Sequence, residues 1–337
     1  VITQDVTVNI TGTDDDPIIN TDITQVTEGT VVEDGTLTAT GQVSYVDPEG
    51  DLINYNVINP PTSPYGTFAV DENGVWTYEL DNTLAQEIGA AGTQETYTIE
   101  VTDQTGGTIQ QVITINITGE NDAPTINASS VIIGSVEEDG TATAIGQLDV
   151  SDIDLTDTNF SYTVISGPNT ATTPGNIVGL YGALTVDGNG EWTYLLDNDK
   201  AQVLGDTIAK EIFTIEISDG NGGTVTQDIT VSVTGHDDQP IVDAGATQET
   251  TGTVVEDGEL HVEGTIKYLD PEGTDVGYSV STSSVPTYGT FSVNPTSGKW
   301  EYDLDNTLAQ AIGADGAQES LIIDVTDATG QVTQQVI

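Results

Sequence analysis

Cysteine, methionine and arginine are all absent from these 337 residues, and lysine occurs only four times, at Lys200, Lys210, Lys267 and Lys299. Without cysteine there can be no disulfide and no thiolate metal site, so each domain must hold through its own core. Phosphate contacts need Lys and Arg, so their scarcity excludes a nucleic-acid binder and argues equally against docking on an anionic membrane surface. No run of 18 apolar residues is present, which excludes insertion of a helix into a bilayer. No signal pattern is visible and no Met stands at position 1. Both absences predict a segment of a longer protein whose targeting information lies elsewhere.

What the chain does have is acid: 55 Asp and Glu, for a formal net charge of −51. The partner such a chain attracts is a divalent cation. High acidity often marks disorder, but here 36% of residues are apolar and they fall in period-2 runs. Thr98-Ile99-Glu100-Val101 and Val112-Ile113-Thr114-Ile115-Asn116-Ile117 alternate as half-buried strands do. Asp71-Glu72-Asn73-Gly74 is a hairpin signal between two of them.

Internal repetition organises the whole. Val31-Val32-Glu33-Asp34-Gly35 recurs as Val136-Glu137-Glu138-Asp139-Gly140 and as Val254-Val255-Glu256-Asp257-Gly258. Tyr65-Gly66-Thr67-Phe68 returns at Tyr181 and Tyr288, and Trp76-Thr77-Tyr78-Glu79-Leu80-Asp81-Asn82 returns at Trp192 and Trp300. Val101-Thr102-Asp103 matches Ile217-Ser218-Asp219 and Val325-Thr326-Asp327. The period is about 105 to 118 residues, the size of one immunoglobulin-like sandwich of about seven strands. The expected fold is therefore all-β, a series of Greek-key sandwiches. One helical turn is expected near Leu84–Gly89. Trp76, Trp192 and Trp300 share the alternation of Tyr78, Tyr194 and Tyr302, which places them in cores rather than on sugar-stacking surfaces.

Pro17, Pro124 and Pro240 each follow a polar, acidic stretch: Asp14-Asp15-Asp16, Glu120-Asn121-Asp122 and Asp237-Asp238. These mark the junctions. Residues 1–16 read as the last strand and linker of a preceding repeat, 17–123 as the first repeat, 124–239 as the second and 240–337 as a third with its last strand cut short. The junctions are short and free of Gly/Ser tracts, so the domains are expected end to end, as a rod. Val8-Asn9-Ile10-Thr11-Gly12 matches the final strand of a repeat, while Val336-Ile337 corresponds to Val112-Ile113. The amino-terminal strand of one molecule is thus expected to be able to complete the last domain of another, head to tail.

The acids concentrate where loops meet domain ends. Glu33, Glu138 and Glu256 head one cluster. Asp47-Pro48-Glu49-Gly50-Asp51, Asp152-Ile153-Asp154 and Asp270-Pro271-Glu272-Gly273 form a second. Asp103, Asp219 and Asp327 form a third, with Asp81, Asp197 and Asp305 nearby. Calcium takes six to eight oxygens in flexible geometry, and acids at alternate positions, as in Asp152-x-Asp154, can turn two oxygens to one ion. Such clusters without a cation would repel one another. A merely solvated, soluble surface has no reason to gather carboxylates at these loops, although Asp34, Asp139 and Asp257 also suit ordinary turn chemistry. His236 and His261 have no third partner at zinc spacing.

In this order (Glu-Asp-Gly, Asp-x-Glu/Asp, Trp-Thr-Tyr-x-Leu-Asp-Asn, Thr-Asp-x-x-Gly, Thr-Gly-Glu-Asn-Asp-Ala-Pro) the chain resembles the VCBS repeat of giant bacterial RTX-type adhesins and, more widely, the cadherin-like superfamily. The resemblance implies Ca²⁺ between successive sandwiches. For the first junction it implies Asp14, Asp15, Asp16, Asp47, Glu49 and Asp103. For the second it implies Glu33, Asp81, Glu120, Asn121, Asp122, Asp152, Asp154 and Asp219. For the third it implies Glu138, Asp197, Asp237, Asp238, Asp270, Glu272 and Asp327. Thr83, Asp199 and Thr307 stand where the cadherin pattern has a further acid, and His236 replaces Glu120, so one or two ions per junction and a weaker third site are expected. The implied function is an extracellular, non-enzymatic spacer of a bacterial surface adhesin. The alternative is a carbohydrate- or cell-binding module in the second repeat, where Thr156 to Ile177 carries an insertion with Phe160 and Tyr162.

Overall fold

The computed structural model describes residues 1–62, 64–169 and 177–337. The chain forms two compact units. The first comprises residues 1–130, 149–162 and 216–226; the second comprises 131–148, 163–215 and 227–337. The division falls inside the long strands Ile208–Ser218 and Thr224–Thr234 of the second repeat.

The expected all-β architecture is what the chain adopts, and its sandwiches follow from the alternation. In the first unit Glu28–Val32 pairs parallel with Thr108–Thr118, which pairs antiparallel with Thr93–Thr102, and that with Asn54–Ile58. Facing this sheet are Thr38–Gln42, Val75–Leu80 and Gly66–Val70. Every second residue of Thr93–Thr102 from Glu95 onward is buried. Ile99, Val101, Ile113 and Ile115 close against Trp76 and Tyr78 of the opposite sheet. The second repeat places Thr143–Gln147, Glu191–Leu196, Gly182–Val186 and Ile177–Val178 in one sheet, with Ile133–Glu137 beside Thr224–Thr234 in another. The third repeats the plan with His261–Thr265, Lys299–Leu304 and Gly289–Val293, opposite Gly277–Val280, Ile322–Thr326 and Val332–Val336.

Among the described residues, nine strand segments lie within 17–119 rather than seven. The reason is that the first two strands change partner midway. Ile18–Ile19 pairs with Tyr45–Val46 before the chain crosses to the other sheet at Glu28. The hairpin at Asp71 forms as expected: Asp71 Oδ1 accepts the N–H groups of Asn73 and Val75, at 2.9 and 2.8 Å. Helical turns occupy Asn82–Ala85, Asn198–Ala201 and Asn306–Ala309. Residues 1–12 form no strand and lie exposed.

Trp76, Trp192 and Trp300 are each at most 1% exposed. Each indole N–H donates to a backbone carbonyl of the irregular segment near the start of its repeat: Val26, Val131 and Glu249. A glycine lies flat on every one of these rings. A Cβ at Gly146 would sit inside contact distance of Trp192 Cζ2 and Cε2, so no larger residue fits without moving the ring.

Each repeat also sets one glutamate among tyrosines, buried at Glu95 and Glu211 and half-buried at Glu319. Glu95 Oε2 accepts from the hydroxyls of Tyr78 and Tyr97, both at 2.9 Å, and its Oε1 accepts Tyr65 N–H at 2.6 Å. Glu211 takes Tyr194 Oη–H and the N–H groups of Leu180 and Tyr181; Glu319 takes Tyr302 Oη–H and those of Thr287 and Tyr288. A buried charge is tolerated only when its lone pairs are filled, and here they are filled by tyrosine hydroxyls and by the loop that leads into the preceding hairpin. Burial and the adjoining carboxylate push the Tyr78, Tyr97, Tyr194 and Tyr302 hydroxyls far above their ordinary range, so they remain donors.

Candidate metal centres

The Glu-Asp-Gly turn supplies the first element of the second and third centres. Asp34, Asp139 and Asp257 adopt left-handed backbone, with φ of 51°, 54° and 55°, a conformation Asp tolerates better than most side chains. The turn is locked by a reciprocal pair: Asn82 Oδ1 accepts Asp34 N–H at 2.8 Å, and Asn82 Nδ2 donates to Asp34 Oδ1 at 2.6 Å. Asn198 does the same for Asp139, and Asn306 for Asp257. This clamp aims the preceding glutamate. Glu33 Oε1 accepts from Gln86 Nε2 at 2.5 Å and its Oε2 from Glu120 N–H at 3.0 Å. Glu138 is held identically by Gln202 and the His236 N–H. The Asp34–Asn82 pair gives those aspartates a turn-locking role. Asn82 and Gln86 are positioning residues that the sequence pattern alone did not single out.

The second element is the Asp-x-Asp/Glu loop, whose acids each use one oxygen to brace backbone. Asp152 Oδ1 accepts Asp154 N–H at 3.0 Å, and Asp154 Oδ2 accepts Asp122 N–H at 2.9 Å. Asp47 Oδ1 takes Glu49 and Asp51 N–H; Asp270 Oδ1 takes Glu272 N–H, and Glu272 Oε1 takes Asp238 N–H at 3.1 Å. The third element is the Asp before the Gly turn. Asp103 Oδ1 gathers the N–H groups of Thr105, Gly106 and Gly107 and the Thr105 hydroxyl. Asp219 and Asp327 gather the same backbone set.

In most of these carboxylates the second oxygen has nothing. Among the described residues, the buried side-chain polar atoms without a partner are Asp47 Oδ2, Asp103 Oδ2, Asn121 Oδ1, Asp152 Oδ2, Asp154 Oδ1, Asp157 Oδ2, Asp238 Oδ2, Glu272 Oε2 and Asp327 Oδ2. Every one belongs to one of the three junctions. Native proteins leave few such atoms, and leaving one empty costs about 1–3 kcal/mol, more for a charged group. Loop carboxylates pinned by one oxygen and bare at the other are what a cation requires.

The second junction is the most compact. Single oxygens of Asp152, Asp157 and Asp219 lie within 4.8 Å of one another. At that separation each pair of full charges repels by about 3–4 kcal/mol at an effective dielectric constant of ~20. Among the described residues, the ion pairs of Lys and His lie elsewhere, at Asp197, Glu137, Glu263, Glu301 and Asp303. Burial, then the crowding of like charges, pushes the carboxyls of Asp122, Asp152 and Asp154 above their ordinary range, and Glu33 likewise. At the third junction burial raises Glu138 and Asp238, and burial with the Asp270 carboxylate beside it pushes Glu272 up to about 7. Burial opposes ionisation of Asp103, Asp219 and Asp327 too, but their fans of donors outweigh it and hold all three below the usual range.

The residues singled out by sequence fall into two groups. Glu33, Asn121, Asp122, Asp152, Asp154 and Asp219 converge on the second junction, and Glu138, Asp238, Asp270, Glu272 and Asp327 on the third. Asp237 joins the third through Thr329, whose hydroxyl donates to its Oδ2 at 2.5 Å. At the first, Asp47 and Asp103 are buried, Asp16 Oδ1 accepts Thr108 N–H, and Glu49 accepts Asp15 N–H. Asp14, Asp15 and Glu120 keep exposed side chains. Asp81 is engaged differently: its Oδ1 caps the helical turn by accepting the N–H groups of Thr83 and Leu84. Asp197 pairs with Lys200 at 2.6 Å. Asp157 was not among the expected ligands; Asp51 and Asp275 stand at similar offsets in the other repeats, but only Asp157 is buried. Its signal was length: ten positions separate Asp152 from Tyr162, against eight between Asp47 and Tyr55. In the insertion of the second repeat, Phe160 and Tyr162 are half-buried, and residues 170–176 lie outside the described residues.

Donors here are carboxylate and amide oxygens, with neither thiolate nor imidazole in the clusters, a set suited to hard divalent cations. A model of the bacterial cadherin-like domain matches residues 14–119 and 121–235. A calcium-binding lectin, RapA2, of Rhizobium johnstonii is 34% identical over 184 residues, which cover 51% of this chain and 73% of the lectin. Among solved structures, mouse cadherin-23 EC22-24 is similar with a TM-score of 0.47 and 16% identity, covering 96% of this chain and 98% of that one. The human desmocollin-1 ectodomain is similar with a TM-score of 0.40 and 17% identity over 95% of this chain, which spans 60% of the ectodomain's length.

Proposed function

The chain belongs to the bacterial cadherin-like domain family, and from that premise we propose that it is a Ca²⁺-binding spacer segment of an extracellular bacterial adhesin of the RTX type. In this reading the segment holds a distal adhesive domain away from the cell surface, and Ca²⁺ stiffens the joints between repeats. The supporting observation is the set of buried, unpartnered oxygens gathered at the three junctions and nowhere else among the described residues. Calcium is favoured over magnesium because the donors are many and come from separate loops. Asp152, Asp154, Asp157, Asp219 and Asn121 would hold an ion at the second junction, and Asp238, Asp270, Glu272 and Asp327 one at the third. Asp47 and Asp103 anchor the first, with Asp14, Asp15, Asp16 and Glu49 beside them. A bound ion would replace mutual repulsion by bridging, since its ligands come from the linker and from the repeat that follows it, while Glu33 and Glu138 tie the repeat before it to the same linker.

Small-angle scattering of the 337-residue chain, in millimolar Ca²⁺ and then in excess chelator, tests the spacer reading. The expected outcome is a longer maximum dimension with a narrower distance distribution in Ca²⁺. Identical profiles in the two buffers would remove the stiffening role.

A second reading takes support from the lectin relative: the second repeat binds a carbohydrate. Its aromatic side chains Phe160 and Tyr162 are half-buried, which suits packing better than sugar stacking. Glycan-array binding confined to the second repeat would favour that reading over the spacer.

A further inference from the structure

The three junctions are built on one template but are not equal, and the difference lies in the second repeat. Four unpartnered oxygens meet there (Asn121 Oδ1, Asp152 Oδ2, Asp154 Oδ1 and Asp157 Oδ2), against three at the third junction and two at the first. Asp154 and Asp157 are 1% and 7% exposed, so these oxygens are shut off from bulk solvent. The extra acid is also fixed. Asn221 Nδ2 donates to Asp157 Oδ1 at 2.7 Å, tying the Asp-x-Asp loop to the Gly-turn loop and leaving Asp157 Oδ2 bare. Asn121 Nδ2 adds a second tie, to Asp219 Oδ2 at 3.0 Å.

The other repeats lack the Asp157–Asn221 tie. Thr105 and Thr329 stand where the second repeat has Asn221; the Thr105 hydroxyl turns back onto its own Asp103 at 2.9 Å, and the Thr329 hydroxyl lies between Asp237 Oδ2 and its own Asp327 Oδ1, at 2.5 and 2.8 Å. At the third junction the Thr274 hydroxyl donates to Asp270 Oδ2, the oxygen that Asp47 and Asp152 leave free. Cation affinity at oxygen sites rises with the number of charged ligands and with the rigidity of the loops that carry them.

We propose that the centre formed by Asp152, Asp154, Asp157 and Asp219 is the high-affinity divalent-cation site of this chain, filling first and emptying last. Asp157 is its distinguishing ligand and Asn221 the residue that positions it. The inference rests on the calcium reading above and adds an order to it: as Ca²⁺ falls, the first and third junctions are released while the second stays joined. The chain is then graded in its response to Ca²⁺ rather than switched as a whole.

Calorimetric titration of the metal-stripped 337-residue chain with CaCl₂ tests this. The wild type is expected to show a tight class of sites and a weaker class, separated on the order of tenfold or more. Asp157→Asn should weaken the tight class on the order of tenfold and Asn221→Thr by a smaller factor, while Asp327→Asn leaves it unchanged and lowers only the weak class. Asn221→Thr installs the residue its neighbours use, so it remains decisive if Asp157→Asn does not fold. A single class of equal sites, or a tight class lost in Asp327→Asn and kept in Asp157→Asn, overturns the order while leaving the calcium reading standing. An isotherm without binding heat, with equilibrium dialysis finding no retained Ca²⁺, overturns both.

Discussion

Stripping Ca²⁺ from the chain is expected to lower its melting temperature by about 8–16 °C, relative to the same sample in ~10 mM Ca²⁺. The estimate follows from linkage. Extracellular calcium modules bind at roughly 10⁻⁴–10⁻³ M, so ~10 mM ion stands some 10- to 100-fold above the dissociation constant and stabilises the native state by about 2 kcal/mol per site. In a domain of ~100 residues each kcal/mol moves the midpoint by about 4–8 °C. The pH dependence of the stripped protein has a definite sign. Glu272 is held up to about 7 by burial and by Asp270. A group raised in the folded state gives stability that is complete below its unfolded pKa and is lost as pH rises through the folded one. Asp122, Asp152, Asp154, Glu33, Glu138 and Asp238 shift in the same direction. Metal-free protein therefore melts higher at about pH 6 than at about pH 8, and saturating Ca²⁺ reduces the difference. Differential scanning calorimetry at the two pH values, with and without chelator, reads both effects. A midpoint that ignores calcium contradicts the account.

Glu211→Ala costs about 3–5 kcal/mol, the range found when one partner of a buried charged network is removed. Tyr194 Oη–H and the N–H groups of Leu180 and Tyr181 all point at this carboxylate, which is fully buried. Alanine strands those donors and opens a cavity beside Phe213 and Tyr194, two rings already in tilted contact. Glu211→Gln keeps one acceptor oxygen but turns an N–H₂ toward donors, so it costs less, about 1–3 kcal/mol. Neither substitution touches a junction, so calcium affinity stays constant while the urea midpoint falls. Equal stability of Glu211→Ala and wild type would show that the carboxylate does not brace the loop.

These glutamates show why part of the structure was hidden in the sequence. Glu95 stands in phase with Tyr97, Ile99 and Val101, and its burial follows that phase. Alternation alone states which face a residue takes, and a charged residue on the inner face is ordinarily a contradiction. It is resolved only by donors arriving from Tyr65 and Tyr78, which lie elsewhere along the chain. The repeats, the sandwich core and the Asp71 hairpin rest on local pattern and were legible throughout. The splitting of the first strands between two sheets was not, because the parallel pairing of Val31 with Ile117 joins residues at opposite ends of a repeat.

The candidate centres divide in the same way. Asp103, Asp219 and Asp327 could be read from repetition, since a loop that folds its backbone around one carboxylate oxygen must recur with the same residues. Asp157 could not, because its burial rests on Asn221, 64 positions away, where the other repeats have Thr105 and Thr329. Asp81 was assigned by resemblance, while the capping preference of Asp before a helical turn accounts for its hydrogen bonds to Thr83 and Leu84. The Asn82 clamp was invisible for a further reason: it matters through the left-handed φ of Asp34, a backbone property that no composition reports.

A crystal structure of the chain grown in millimolar Ca²⁺, with anomalous difference maps, would address the junctions themselves. Density for calcium is expected between Asp152 Oδ2, Asp157 Oδ2 and Asp219, and again among Asp238, Glu272 and Asp327, at 2.3–2.6 Å from each oxygen. Maps without anomalous peaks there, with those oxygens hydrogen-bonded to water or turned outward, would contradict it.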